Sequence, residues 1–468
     1  MSADELCRMS ATELAAAIRT RRLSPVEVTE AVLARIERVN PLLNAYCTVT
    51  ADAALQAARA AEQALAQGKP LGPLHGVPVS VKDTILTAGV RTTRGSKLYA
   101  DYVPAEDAPV VERLKAAGAI ILGKTNTPEF GWKGVTDNAL FGPTRNPWNL
   151  ERTPGGSSGG AAAAVAAGMG PLAIGTDGGG SVRIPAAFTG IVGLKPSFGL
   201  VPAYPPSPAE SLSHVGPMAR TVRDTALLLD VLAGPDERDR TSLPPLGVRF
   251  AEALEGDLRG LRLAWSRDLG YAVVEPEVAA LAERAAHRFV ELGCVVEEAQ
   301  PGFPDPYDAW SVVFYAGIGA MLEGQPPGWR EVVDPELVRT VDSARSLTAF
   351  DYARAGFARA ALWDVVRRFF ERYDLLLTPA LAVAAFPVGR NMPEHIAGQP
   401  ATGLRWSPFT YPFNMTGQPA ISVPCGWTAD GLPVGLHIVG RRFADALVLR
   451  AAAAFEALQP WADRWPPL

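Results

Sequence analysis

Hydrophobic and polar positions repeat with two different periods along the chain. In the first part the period is helical: Val28, Val32, Ile36 and Val39 recur at the spacing that lines one face of a helix. Ser10-x-x-Glu13 and Ser24-Pro25-x-Glu27 read as capping boxes, the second with Pro at the first helical position. Ala-rich 51–68 predicts a further helix, stopped by Gly68. From Leu74 onward short β-branched runs take over. The stretches 77–81, 119–122, 172–175, 261–265, 294–298, 374–379, 420–424 and 434–439 predict strands, and 109–117, 222–233, 277–292 and 349–370 predict helices between them. Strand–helix alternation of this kind implies an α/β fold with a mixed, mostly parallel sheet covered by helices. Pro-rich 201–208 and 301–310 read as surface loops that rim a cleft. No internal repeat and no low-complexity linker marks a domain boundary.

Composition narrows the class. A chain of 468 residues, 48% apolar and 20% charged, is long enough for one large α/β domain with insertions. A net charge of −5 without charge blocks gives no basis for nucleic acid or an anionic membrane as partner. The N-terminus has neither a basic nor an apolar signal region. The most apolar long run, 161–175, is mostly Ala and is cut by Gly168, Gly170 and Pro171, which makes a poor membrane span. Cys7, Cys47, Cys294 and Cys425 form no C-x-x-C pair and read as reduced thiols of a cytoplasmic protein.

Two motifs match by letter and fail by context. Gly118 to Thr125 fits G-x-x-x-x-G-K-[ST], but a helical segment precedes it and a strand fills it, so its amides are not free to cradle phosphate. Gly155 to Gly159 fits the G-x-S-x-G nucleophile elbow, but turn-like "NPWNLERTP" precedes it instead of a strand. A histidine base for that elbow is poorly supplied. His287 and His437 read as packed helix and strand residues, His75 precedes the serines, and only His214 and His395 fall in loop-like sequence. There is no H-E-x-x-H and no Cys/His cluster, so neither a metal nor any other cofactor is expected.

A second glycine–serine run is richer in chemistry. Gly178, Gly179 and Gly180 immediately precede Ser181. Successive glycine N–H groups can form an anion pocket, which beside a nucleophile stabilises an oxyanion. The same spelling also suits a tight turn with a helix-capping serine. Lys82 closes an apolar strand. Burial there would lower its pKa and make it a base for a serine, whereas a lone strand-end lysine equally well reaches solvent.

These residues sit in longer stretches that resemble the amidase signature family. The block 155–199 is similar to its signature, and 74–83, 123–131, 144–149 and 417–440 resemble its other landmarks, in order and spacing. The resemblance implies a single α/β domain over 74–468, with a helical substrate-pocket insertion around 305–370 and an N-terminal helical segment over 1–73 packed on it. It implies a Ser–Ser–Lys triad, with Lys82 as base, Ser157 as bridge and Ser181 as nucleophile. Gly178, Gly179, Gly180 and Ser181 would supply the oxyanion hole, with Ser158, Thr176, Asp177 and Arg183 in support. The implied reaction is hydrolysis of a small-molecule amide through an acyl-enzyme, in a chain compatible with a homodimer.

The family also contains glutamine-hydrolysing subunits of aminoacyl-tRNA amidotransferases, which usually carry an acidic residue just before the segment matching "NMTGQPAISVP". Here 404–414 holds no Asp or Glu, and Trp406, Phe409, Tyr411 and Phe413 stand instead. A non-catalytic binding protein on the same fold would be expected to lack a triad member, and none is lacking. Trp310, Phe314, Tyr315, Met321, Leu322, Trp329, Phe350, Tyr352 and Phe357 mark the region over the site as apolar; most are expected in the core and some in a wide acyl pocket. Aryl or alkyl amides and anilides are therefore the expected substrates, with esters and carbamates (urethanes) as side substrates.

Overall fold

Neighbouring residues on the central strands point into different cores, and this sets the layering of the molecule. The computed structural model describes residues 1–468, the side chain of Glu210 apart. Its strands are β1 (Tyr46–Val49), β2 (Pro78–Lys82), β3 (Ile120–Thr125), β4 (Leu172–Asp177), β5 (Val192–Lys195), β6 (His214–Ala219), β7 (Arg262–Trp265), β8 (Val295–Glu298), β9 (Leu375–Pro379), β10 (His395–Ile396), β11 (Gln399–Pro400), β12 (Ala420–Trp427) and β13 (Pro433–Gly440). Eleven of them form one sheet in the order β1-β3-β2-β4-β6-β5-β12-β13-β9-β7-β8, and β10 and β11 form a separate ribbon.

The sheet is mixed, but its parallel pairings are confined to two flanks, β3-β2-β4 and β9-β7-β8. The middle, from β4 through β6, β5, β12 and β13 to β9, is antiparallel throughout. Mostly parallel pairing therefore holds for the flanks alone. A short connection explains part of the difference: β12 and β13 are joined by a tight turn, which permits only antiparallel pairing. On β4, Leu172 and Ile174 enter a large core shared with the N-terminal helices and with helices Val222–Leu232 and Asp445–Leu458. Ala173 between them faces the opposite side, with Met218 and the Ala-rich helix Gly159–Ala166.

The strand runs recognised in the sequence all form, within a few residues at their ends. Five strands were not legible: the two-residue β10 and β11 of the separate ribbon, and three strands of the main sheet. β1 has only four residues and adds an edge strand within the stretch expected to be helical. β5 and β6 carry Gly193, Gly216 and Pro217, residues depleted from strands. Pro217, which has no N–H to give, falls just beyond the part of β6 that β5 pairs. Ser10 and Glu13 form the expected reciprocal cap. Ser24 caps its helix through the N–H groups of Val26 and Glu27, without the return bond from Glu27. The phosphate-loop spelling is a strand, as expected: Lys124 is buried in β3, donating to the carbonyl of Ile85 and to Thr87 Oγ1 at 2.9 Å. No described helix is long and apolar enough to cross a membrane, and the four cysteines are free.

The helix Gly159–Ala166 lies close against the chain because its first residues have no side chains. A Cβ on Gly160 would stand 2.4 Å from the Asn126 nitrogen and 2.5 Å from the Ala45 oxygen, both rigid backbone atoms. Gly160→Ala is expected to destabilise the protein by about 1–3 kcal/mol through overpacking. Gly356→Ala, where nothing lies within 4 Å, should leave the melting temperature unchanged or raise it. Thermal melts of the two variants against the parent check this.

Candidate active site

Parallel pairing of β2 with β4 brings the ends of two strands to one edge of the sheet. Val81 is in register with Ile174, which sets Lys82 beside Gly175 and one residue short of Thr176. Lys82 is fully buried. Its Nζ donates to Ser157 Oγ at 2.6 Å and to Thr176 Oγ1 at 2.8 Å. Among the described residues no carboxylate lies within ion-pair distance of it. Burial therefore dominates, and only partly opposed by Asp177 it pulls the Lys82 pKa down to about 7.

Ser157 sits in the glycine-flanked loop before helix Gly159–Ala166, after a cis Gly156–Ser157 peptide. Gly156 packs against the backbone of Val135, where a Cβ would stand 2.5 Å from the carbonyl carbon and oxygen. Ser158 joins this loop to the next: its N–H donates to the Ser181 carbonyl at 3.1 Å, and its Oγ donates to the Thr176 carbonyl at 3.2 Å. The structure thus brings Lys82, Ser157, Ser158, Thr176 and the Ser181 backbone into one bonded cluster. Among the described residues the Ser181 hydroxyl has no hydrogen-bond partner. Ser181 is half-buried and lines a cleft.

The glycine run is oriented by its carbonyls. Trp310 Nε1 donates to the Gly178 carbonyl at 2.9 Å, Thr410 Oγ1 to that of Gly179 at 2.7 Å, and the Ile184 N–H to that of Gly180 at 2.6 Å. In a trans peptide the N–H points opposite to the carbonyl. These anchors therefore aim the N–H groups of Gly179, Gly180 and Ser181. The Gly180 N–H, expected in the anion pocket, is committed instead to Asp177 Oδ1 at 2.7 Å. The N–H groups of Gly179 and Ser181 make no hydrogen bond among the described residues, and both residues line the cleft. Gly178 has its N–H free as well but does not line the cleft.

Asp177 and Arg183 hold this loop from behind. Both side chains are 0% exposed, and they are joined by Nε to Oδ2 and Nη2 to Oδ1, each at 3.0 Å. Asp177 also accepts from the Val182 N–H at 3.2 Å and from Asn414 Nδ2 at 2.8 Å. Burial alone would raise the Asp177 pKa, but the Arg183 charge and these hydrogen bonds outweigh it and hold the carboxyl well below the usual range. The remaining Arg183 hydrogens go to the Thr410 carbonyl, Asn414 Oδ1 and His437 Nε2. Asn414 and Thr410, in the 404–414 stretch before the C-terminal landmark, were not singled out in the sequence, because no local pattern links them to residues so far upstream.

The histidines serve elsewhere. His437 is buried on β13 as expected, and its Nε2 faces the Arg183 guanidinium, which can only donate. His214 opens β6 instead of lying in a loop, with Nδ1 on the Leu212 carbonyl at 2.9 Å and Nε2 facing Lys195. Burial, reinforced by neighbouring cations, pushes the pKa of both rings down. Neither bonds to Ser157 or Ser181.

The cleft in front of Ser181 has a volume of about 350 Å³. Trp132, Tyr307, Trp310, Phe314, Tyr315 and Trp406 give it an aromatic wall, in which Trp310 stacks on Phe314 at 4.8 Å. Lys133, paired with Asp137 at 2.5 Å, and Glu336 mark its polar end. The cleft-rimming loop expected at 301–310 reaches it through Tyr307 and Trp310, which open helix Tyr307–Glu323. Of the other aromatic-stretch residues, Leu322 and Trp329 are in the core, whereas Phe350, Tyr352 and Phe357 are 78, 50 and 75% exposed on helix Ala349–Arg372 and line no cleft. Phe409, Tyr411 and Phe413 are fully buried around it.

Residues 27–449 match the amidase family. An acylamidase from Rhodococcus erythropolis is 45% identical over all of this chain and 98% of its own. A glutamyl-tRNA(Gln) amidotransferase component from Moorella thermoacetica is 42% identical, with 99% of each chain covered. Among solved structures, a bacterial aryl acylamidase of the amidase signature enzymes superimposes with a TM-score of 0.92 at 36% identity, covering 97% of each chain.

The buried Asp177–Arg183 pair sets a clear stability expectation. Asp177→Asn leaves a buried guanidinium uncompensated and should cost about 3–5 kcal/mol. The double variant Asp177→Leu with Arg183→Met should recover part of that loss, as thermal melts of both proteins will show.

Proposed function

The chain belongs to the amidase family, the amidase signature enzymes, and on that basis we propose that it hydrolyses aryl or alkyl amides through an acyl-enzyme on Ser181. The observation that carries the reading is the 2.6 Å contact between a fully buried lysine and Ser157, behind a second serine that faces an aromatic cleft. The neutral Lys82 amine accepts the Ser157 proton, and Ser157 accepts the Ser181 proton. A hydroxyl suits the middle position because it both donates and accepts. Ser181 Oγ then bonds to the amide carbonyl carbon. The N–H groups of Gly179 and Ser181 receive the developing oxyanion, a contribution typically worth ~10²–10³ in rate per donor. The proton returns along the same chain to the leaving nitrogen, the C–N bond breaks, and water releases the acid. Ser158 and Thr176 hold the lysine and the two loops, and Asp177 and Arg183 hold the glycine run.

The aromatic wall supports a planar or apolar acyl or amine group as the ligand, which agrees with what the acylamidase relatives are named for. The helices around 305–370 contribute Tyr307, Trp310, Phe314 and Tyr315 to that wall and act in this reading as the substrate-facing insertion. Glutamine fits less well: 404–414 supplies no acid, and the acid at the cleft, Glu336, is engaged by Asn391. Free thiols at four separate positions suit a reducing, cytoplasmic setting.

Ser181→Ala is expected to lower kcat by on the order of 10⁴-fold or more. Lys82→Ala should lose on the order of 10³-fold, and Ser157→Ala on the order of 10²-fold, since water can stand in for the bridging hydroxyl. Steady-state rates on a p-nitroanilide measure all three, and an active Ser181→Ala protein sinks the assignment. On a panel of anilides, primary amides, carbamates, esters and glutamine, the anilides are expected to give the highest kcat/KM. A preference for small charged amides would overturn the substrate class.

A further inference from the structure

A second cavity, of about 120 Å³, meets the catalytic cluster at Thr176. One strap of chain separates it from the cleft: Phe130 lines the second cavity and the next residue, Gly131, lines the cleft. Arg94 also lines it, in a fixed position. Its backbone adopts φ 57, its N–H donates to the Asp83 carbonyl at 3.0 Å, and its carbonyl accepts from the Phe130 N–H at 2.8 Å. Its side chain is different. Among the described residues the Arg94 guanidinium has no hydrogen bond and no ion pair, only the ring of Tyr99 at 4.8 Å. Its Nε is buried without a partner, and so is Thr84 Oγ1 in the same wall.

Leaving a guanidinium N–H and a hydroxyl unpaired in a partly buried wall is costly. No carboxylate lines the cavity; that of Asp83, the residue before Thr84, is held by the Thr93 N–H at 3.0 Å and the Thr93 hydroxyl, and that of Glu106 accepts from the Tyr204 hydroxyl at 3.1 Å from an exposed position. One unopposed cation calls for one negative charge, and the cavity admits only a small group. Ala108 and Val110 add the start of helix Pro109–Ala116, which has no side-chain cap and favours an anion.

We propose that this cavity is a binding site for a small carboxylate, with Arg94 as its charge partner and Thr84 as a second donor. Amide hydrolysis releases a carboxylic acid, so a ligand of this class is at hand; that clause and the effect on turnover rest on the function proposed above, and the binding itself does not. A carboxylate here stands behind Thr176, which accepts from Lys82 Nζ. Asp177 is the charged group that already acts on Lys82 from the other strand residue at this edge, and a second negative charge would add to its pull toward the ammonium form. The bound carboxylate therefore slows turnover without entering the cleft.

The test titrates carbon-labelled acetate onto the full chain at constant ionic strength held with sodium chloride, following line broadening, and pairs this with turnover assays. Saturable binding is expected in the parent and equally in Ser181→Ala. Arg94→Gln should weaken it about tenfold or more, Arg94→Lys should keep part of it, and Ala203→Phe, which fills the cavity from its loop, should abolish it. In turnover, acetate should lower kcat and leave KM unchanged. The proposal is overturned by absent binding, by equal affinity in the parent and folded Arg94→Gln, or by acetate that raises KM alone, which would put it in the cleft. The binding arm decides the matter even where no amide is turned over.

Discussion

The Lys82 side chain is buried at the end of β2, with no exposed surface and no carboxylate in ion-pair range. An ammonium there is disfavoured by desolvation, and the hydroxyls of Ser157 and Thr176 are its only described partners. That penalty brings the amine's pKa down toward neutrality, which is what the proposed role as proton acceptor requires. It also fixes what the surroundings must be. A carboxylate in contact would restore the ammonium, and water would do the same.

Other buried lysines show that burial alone does not make a catalyst. Lys124 is pulled down to about 8 by burial, yet it is spent on the Ile85 carbonyl and Thr87 Oγ1 within the sheet. Lys195 is likewise depressed and is tied to the Gln418 and Pro196 carbonyls. Lys82 differs because its partner Ser157 lies in the loop that Ser158 bonds to Ser181, which lines the cleft. The site therefore lives at the strand ends of β2 and β4, where parallel register puts the lysine, the threonine and the start of the glycine run together. Asp177 is one residue past Thr176 and points its carboxylate into Arg183, so its charge only partly opposes the effect of burial on the lysine.

Much of this was legible in the sequence and some was not, for identifiable reasons. β-branched runs announced most strands because burial on both faces selects such residues. β5 and β6 were silent because Gly193, Gly216 and Pro217 hide a strand whose pairing comes from its neighbours. The glycine run announced an anion pocket, but which N–H groups are free depends on Trp310, Thr410 and Asp177, and only the fold brings the first two near. Hence Gly180 was expected in the pocket and is found bound to Asp177. The aromatic-rich stretch was legible as composition. The division of its members among cleft, core and solvent needed the helix faces, which is why Phe350, Tyr352 and Phe357 fall outside.

A base at this position requires the Lys82 amine to be neutral for a large part of its time near neutral pH. Titration of the lysine ε-amine signals by nuclear magnetic resonance on the full chain, with the Lys82 signal assigned by its loss in Lys82→Met, reads this out at the atom concerned. The expected midpoint is near 7. A midpoint near the ordinary lysine value of about 10.4 would leave an ammonium facing Ser157, and Lys82 could not then be the base.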